Sequence, residues 1–128
     1  MVPMTGKITR KDQPTYEDEV LGILAYEFFF SDKAEIEKKI KRHLREKKLG
    51  GYDPERVEIL RAFKNDVQEE IGKGDQSKYF TGFHGRYAGM KDFDTKRFCE
   101  DMYRSHPQVP ESEIAGFLGF AIYLYYLR

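Results

Sequence analysis

The chain has 128 residues, with 22 Lys+Arg balanced by 22 Asp+Glu, one Cys, three His, no Trp, nine Tyr and ten Phe. A single cysteine excludes an intrachain disulfide framework and a four-ligand Cys-rich zinc site. Balanced charge with 40% hydrophobic and 15% aromatic residues excludes extended disorder, and a net charge of zero means that any polyanion binding must come from a local patch.

A chain of this size buries roughly two-thirds of its unfolded surface, enough for one core without staples. The opening Met-Val-Pro-Met-Thr-Gly-Lys has no apolar run of signal-peptide length, so the expectation is a cytoplasmic protein. Residues 1–14 show no apolar period and read as an extended arm, ahead of a single helical domain over 15–128.

The first helix is predicted over 16–30. Thr15 is a suitable N-cap, and Glu17, Asp18 and Glu19 put negative charge where the helix dipole favours it. Val20, Ile23, Leu24 and Phe28 recur at helical spacing, while Leu21, Phe29 and Phe30 widen that face, which predicts a heavily buried helix. The second helix is predicted over 33–48, capped by Ser31 or Asp32. Its apolar stripe is narrow (Ile36, Ile40, Leu44), and Gly50-Gly51 is expected to end it in the left-handed conformation.

The third helix, 54–71, opens with Asp53 as cap and Pro54 at the first helical position, where the missing N–H does no harm. Val57, Leu60, Val67 and Ile71 keep its period, with Ile59 and Phe63 alongside. A Gly- and aromatic-rich loop follows over 75–93, expected to pack through Tyr79, Phe80, Phe83, Tyr87 and Phe93. The fourth helix, 95–105, is capped by Asp94 and has Phe98, Cys99, Met102 and Tyr103 on its apolar face.

The fifth helix, 110–127, is apolar, Gly or Tyr at every position from Ile114 to Leu127. Such a helix is buried all round or faces a membrane. Fourteen residues span only about 21 Å against a hydrocarbon core of about 30 Å, so no transmembrane segment is expected. The fold class is therefore all-α, a bundle of five helices.

Three groups of residues are candidates for function. The first is basic: Lys38, Lys39, Lys41, Arg42, Arg45, Lys47 and Lys48 stand against one acid, Glu46, between positions 38 and 48. Such a face would bind phosphates by releasing counterions, so nucleic-acid backbone is one candidate partner. The bland alternative is a solvated face whose cations suit the helix C-terminus, balanced by the six acids of Asp53–Ile71. A helix-turn-helix reading fails, because the recognition helix would be the acidic third one.

The second group is His84, Arg86 and Tyr87 in the Gly-interrupted segment 81–90. Arg offers a planar fork for carboxylate or phosphate, which suggests a small-molecule or anion sensor. The Gly spacing matches neither the dinucleotide fingerprint nor a P-loop. The third group is the aromatic set Phe117, Phe120, Tyr123, Tyr125 and Tyr126, the expected contact surface of a homodimer.

Catalytic and metal chemistry find no support in the residue pattern. Cys99 beside Phe98 and Met102 reads as a small core residue rather than a nucleophile paired with His84 or His106. His43, His84 and His106 lack the i, i+3 or i, i+4 pairing of helical metal sites. The carboxylate pairs sit at helix starts and on exposed faces. The sequence thus points to a small helical protein–protein interaction module, an adaptor or regulatory subunit, with no cofactor expected.

Overall fold

A computed structural model describes residues 14–30 and 32–127; the arm predicted for 1–14 lies outside the described residues but for Pro14, and so does Ser31 as an alternative cap. The protein is all-α, with five α-helices among the described residues, and it divides into two compact units between Tyr52 and Asp53.

In the first unit, α1 spans Tyr16–Leu24 and α2 spans Lys33–Glu46. The Thr15 hydroxyl oxygen accepts the Asp18 N–H at 3.0 Å, and an Asp32 carboxylate oxygen accepts the Ala34 N–H at 3.0 Å, so both helices start where side-chain acceptors meet otherwise orphaned amides. The two helices pack through Val20, Leu21 and Leu24 on one and Ile36, Ile40 and Leu44 on the other, all buried. Each such side chain contributes about 1.5–3 kcal/mol of transfer free energy.

Two expectations for this unit fail. The first helix stops at Leu24 rather than running to Phe30. Tyr26 leaves helical geometry, Glu27–Phe29 form one 3-10 turn, and Phe30 is extended. Aromatic residues are poor helix formers, and here their rings gather: Tyr26 stacks on Phe29 at 5.9 Å and on Phe28 at 6.4 Å, and Phe28 meets Phe29 at a tilt with centres 4.5 Å apart. Phe28 and Phe29 are 54% and 64% exposed and Phe30 is half-buried, so of the residues expected to widen the buried face only Leu21 is buried, and Phe28 drops out of the stripe.

The second failure is at the end of α2, which closes at Glu46 by a left-handed residue that is not glycine. Lys48 takes φ +56°, the Leu49 N–H bonds the Leu44 carbonyl at 3.0 Å, and the Lys48 N–H bonds the Arg45 carbonyl at 3.2 Å. That pair of bonds is the Schellman closure. The helix runs out of turns two residues before Gly50, so the strained position falls on the lysine.

In the second unit, α3 spans Pro54–Gly72, α4 spans Thr95–Ser105 and α5 spans Glu111–Ile122. Asp53 caps α3 by accepting the Glu55 and Arg56 N–H groups at 3.1 and 3.3 Å, and Asp94 caps α4 through the Arg97 N–H at 3.2 Å. α5 packs against both α3 and α4. The core gathers Leu60, Phe63 and Val67 from α3, Phe98 from α4, and Ile114, Leu118 and Ile122 from α5.

α4 buries Phe98 alone: Cys99 and Met102 are half-buried and Tyr103 is 41% exposed. The segment 74–93 holds two 3-10 turns, Gly74–Gln76 and Met90–Asp92, and an isolated antiparallel bridge between Phe80 and Phe93.

The C-terminal helix is not buried all round. Ile114, Phe117, Leu118, Ala121 and Ile122 face inward, while Ala115, Gly116 and Phe120 are exposed. Two neighbouring helices cover one face of a cylinder, and the residues left outside are small or aromatic rather than large aliphatics. The α-helix also ends early, and Tyr123–Leu127 widen into π-type turns. Among the described residues no helix is long and apolar enough to cross a membrane.

Candidate functional site: an aromatic cleft on the first unit

A cleft of about 460 Å³ lies on the first unit. α1 supplies its acidic edge, Asp18 and Glu19, and the exposed Gly22 beside Ile23. No atom lies within 4 Å of where a Cβ on Gly22 would stand, so the glycine leaves that stretch of α1 open. The turn after α1 supplies an aromatic wall, Tyr26, Phe29 and Phe30, and α2 supplies a basic edge, Lys39 and His43.

The Glu19 carboxylate, 13% exposed, ties the two helices together. One oxygen lies 2.7 Å from His43 Nδ1 and the other 3.8 Å from Lys47 Nζ. A hydrogen bond from the ring to a charged, largely buried acceptor is worth about 1.5–3 kcal/mol. Asp18 and Lys39, by contrast, form no ion pair among the described residues. The Asp18 side chain reaches solvent, and the Lys39 ammonium lies 5.5 Å from the centre of the Phe30 ring. Its aromatic wall between two charged edges suits recognition of an apolar group flanked by charge.

The basic run of α2 splits into two sides. Lys39, His43 and Lys47 turn toward α1 and the aromatic turn. Lys38, Arg42 and Arg45 are exposed at i, i+4, i+7 spacing, and Lys41, also exposed, pairs with Glu37 at 3.1 Å and lies 5.2 Å from the Tyr52 ring centre. Lys48 is exposed at the helix end.

Of His84, Arg86 and Tyr87, the last two lie together and His84 is tied to Thr81. His84 Nε2 sits 2.8 Å from the Thr81 hydroxyl, and Arg86 stacks on the exposed Tyr87 ring at 5.8 Å. The organiser of that segment is Asp92, a residue the sequence reading passed over. Its buried carboxylate accepts the Gly89 N–H at 3.0 Å, the Tyr126 hydroxyl at 2.7 Å and the His84 N–H at 3.2 Å. The Gly89 and Tyr126 bonds outweigh burial and hold Asp92 below the ordinary carboxylate range.

Glu70 is a second buried acid hidden in the pattern of α3. Burial pushes its pKa upward, yet the Ser77 hydroxyl at 2.6 Å, Lys73 at 3.1 Å and the Lys78 N–H at 3.0 Å bring the net value below normal. Both acids serve as acceptors for turns, which is why they are buried within segments otherwise rich in polar residues and Gly.

Of the five aromatics expected at an interface, Phe117 is buried beside Phe63, with ring centres 5.5 Å apart, and Tyr126 is engaged by Asp92. Tyr125 is half-buried, while Phe120 and Tyr123 are 37% and 54% exposed. Burial and the Glu100 and Glu111 charges push the Cys99 thiol pKa up, away from a reactive thiolate. Among the described residues no three His, Cys, Asp or Glu side chains gather as a metal would require.

The cleft itself was not anticipated from sequence. Its signal was Gly22 inside a helical pattern, followed at four to eight residues by the aromatic run Tyr26–Phe30. Compared with protein-family models, with curated proteins and with solved structures, the chain matches none.

Proposed function

We propose that this chain is a small helical protein–protein interaction module, an adaptor or regulatory subunit, and that its first unit carries the contact surface. One observation supports the reading above others: Phe29, which lines the aromatic cleft, is 64% exposed, and its ring lies 4.5 Å from that of Phe28, which is 54% exposed. Exposed phenylalanines grouped in this way are disfavoured in water unless a partner covers them, and aromatic anchors carry much of the energy of protein interfaces.

Selection of ligands from a random-peptide library on the immobilised chain tests the reading. Enriched peptides are expected to share an aromatic or leucine anchor and to bind at least about tenfold more weakly to Phe29→Ser. Enrichment of no sequence, or binding unchanged by that substitution, overturns it.

A second reading, binding to nucleic-acid backbone, draws on Lys38, Arg42 and Arg45 standing exposed along one side of α2. Titration with generic DNA and RNA at two salt concentrations decides it. Affinity falling steeply with salt supports the reading, and no binding at low salt removes it.

A further inference from the structure

We infer that the exposed segment 81–91 of the second unit docks on an anionic phospholipid surface, with Phe83, Tyr87 and Met90 entering the interface and Lys91 and Lys96 meeting lipid phosphates. This surface shares no residue with the aromatic cleft of the first unit.

The segment is closed at its base and exposed along its length. Phe80 and Phe93 pair as an antiparallel bridge, the Thr81 N–H donates to the Asp92 carbonyl at 2.7 Å, and the Asp94 N–H donates to the Tyr79 carbonyl at 2.7 Å. Between these ties every residue from Phe83 to Ala88 is exposed. Tyr87 and Phe83, at 78% and 66%, are the two most exposed large hydrophobic side chains among the described residues, and Met90 is 40% exposed. The Phe83 ring meets Phe80 edge-on with centres 5.0 Å apart, and the Met90 terminal methyl lies 3.9 Å from where a Cβ on Gly119 would stand. Such contacts hold the side chains without covering them. The buried Asp92 carboxylate fixes the backbone through the His84 and Gly89 N–H groups, so docking orders little that is not already ordered.

Charge decides among the partners such a loop could have. Between Asp75 and Asp92 the chain has no acid and carries Lys78, His84, Arg86 and Lys91. Asp92 is buried and spent on its three donors. A hollow of about 370 Å³ adjoins the loop, lined by Met90, Lys91 and Lys96, and its one acid, Asp94, is engaged in capping α4. Neither lysine ammonium is in an ion pair among the described residues. An apolar tip framed by cations complements a layer that is apolar within and anionic at its surface, where aromatic side chains also settle. Single-stranded nucleic acid could stack on the two rings, but it offers no apolar layer for Ala88 and Met90.

Sedimentation of the full chain with vesicles of equal parts phosphatidylserine and phosphatidylcholine, and with vesicles of phosphatidylcholine alone, tests this. The wild type is expected to bind the anionic vesicles at least about tenfold more tightly, with affinity falling as salt rises. Phe83→Ser with Tyr87→Ser, and separately Lys91→Gln with Lys96→Gln, should each weaken binding by at least about tenfold. The chain contains no Trp, so Tyr87→Trp installs a single reporter whose emission should move to shorter wavelength on the anionic vesicles. Phe29→Ser should bind vesicles as the wild type does. Circular dichroism melts check that each variant folds; if the paired serine variant does not, Tyr87→Ser alone replaces it and is expected to weaken binding to a smaller extent.

Absence of binding to the anionic vesicles at low salt overturns the inference, and so does equal binding to both kinds of vesicle. Binding unchanged by both paired variants, or an unshifted reporter, overturns the placement on this loop. Binding of generic RNA that depends on Phe83 and Tyr87, without vesicle binding, overturns it in favour of nucleic acid. Failure of peptide selection with vesicle binding intact would strike the reading of the cleft and support this one.

Discussion

The hydroxyl of Tyr126 donates to Oδ2 of Asp92 across 2.7 Å, joining residues 34 apart in the chain. The same oxygen accepts the Gly89 N–H, and its twin accepts the His84 N–H, so one carboxylate holds the irregular segment to the C-terminal turns. Tyr126→Phe deletes one donor and leaves the shape of the ring intact. Amide hydrogen exchange at His84 and Gly89 should then quicken by roughly tenfold, while exchange in α3 stays near wild type. Uniform quickening throughout would mean that the bond supports the whole unit rather than this segment.

The hydrogen-bonded acids and phenols fix the direction of the pH dependence. The Gly89 N–H bond holds Asp92 low, the Tyr79 hydroxyl holds Asp101 low, and Glu70 is low on balance despite its burial. A carboxyl whose folded pKa lies below its unfolded value contributes stability above the unfolded value, and that contribution is lost as pH falls through the folded one. Urea midpoints should therefore decline steadily as pH drops below about 4, the ordinary carboxylate range. At the alkaline end, burial and Asp92 push Tyr126 up to about 12, and burial and Asp101 raise Tyr79. Above about pH 10 the unfolded phenols ionise while the folded ones stay neutral, so stability falls again. Tyr126→Phe should flatten that alkaline limb, and an unchanged limb would refute the assignment.

Lys48 at φ +56° is a lysine where a glycine would be unstrained. A side-chain-bearing residue pays about 1 kcal/mol or more to stay left-handed. Lys48→Gly is expected to raise the unfolding free energy by about 0.5–1 kcal/mol in urea titrations, and Lys48→Ala to leave it nearly unchanged. Destabilisation by the glycine would show that the lysine side chain contributes more than the backbone strain removes.

Phe98 is fully buried and stacks on Tyr79 with ring centres 4.3 Å apart and planes 12° from parallel. The Arg97 guanidinium lies 5.1 Å from the same Tyr79 ring, and the Tyr79 hydroxyl donates to Asp101 at 2.7 Å. As the one buried residue of α4, Phe98 should cost about 3–5 kcal/mol when replaced by Ala, far more than Met102→Ala on the same helix. Near-equal losses at the two positions, measured by thermal or chemical melts, would argue that α4 docks through its whole apolar side.

The helix starts were legible because they depend on neighbours in sequence: Thr15, Asp32, Asp53 and Asp94 each reach an amide two or three residues on. The ends were less so. Helix α1 stops where ring stacking among Tyr26, Phe28 and Phe29 replaces helical geometry, and α2 closes through Lys48 rather than Gly50, outcomes that local propensity does not resolve.

What the sequence determined by itself was the all-α class, through apolar residues recurring at helical spacing, and the blocks of opposite charge that lie between them. Only the tertiary structure decided which members of each block remain available. It consumed Glu19, His43 and Lys47 in one cross-link and left Asp18 and Lys39 facing the cleft. It buried Glu70 and Asp92 as acceptors for turns and exposed Phe28 and Phe29, which their spacing assigns to the core. The physical reason is that burial and pairing depend on which side chains meet across helices and turns, and a one-dimensional pattern gives the face of a helix but not what that face meets.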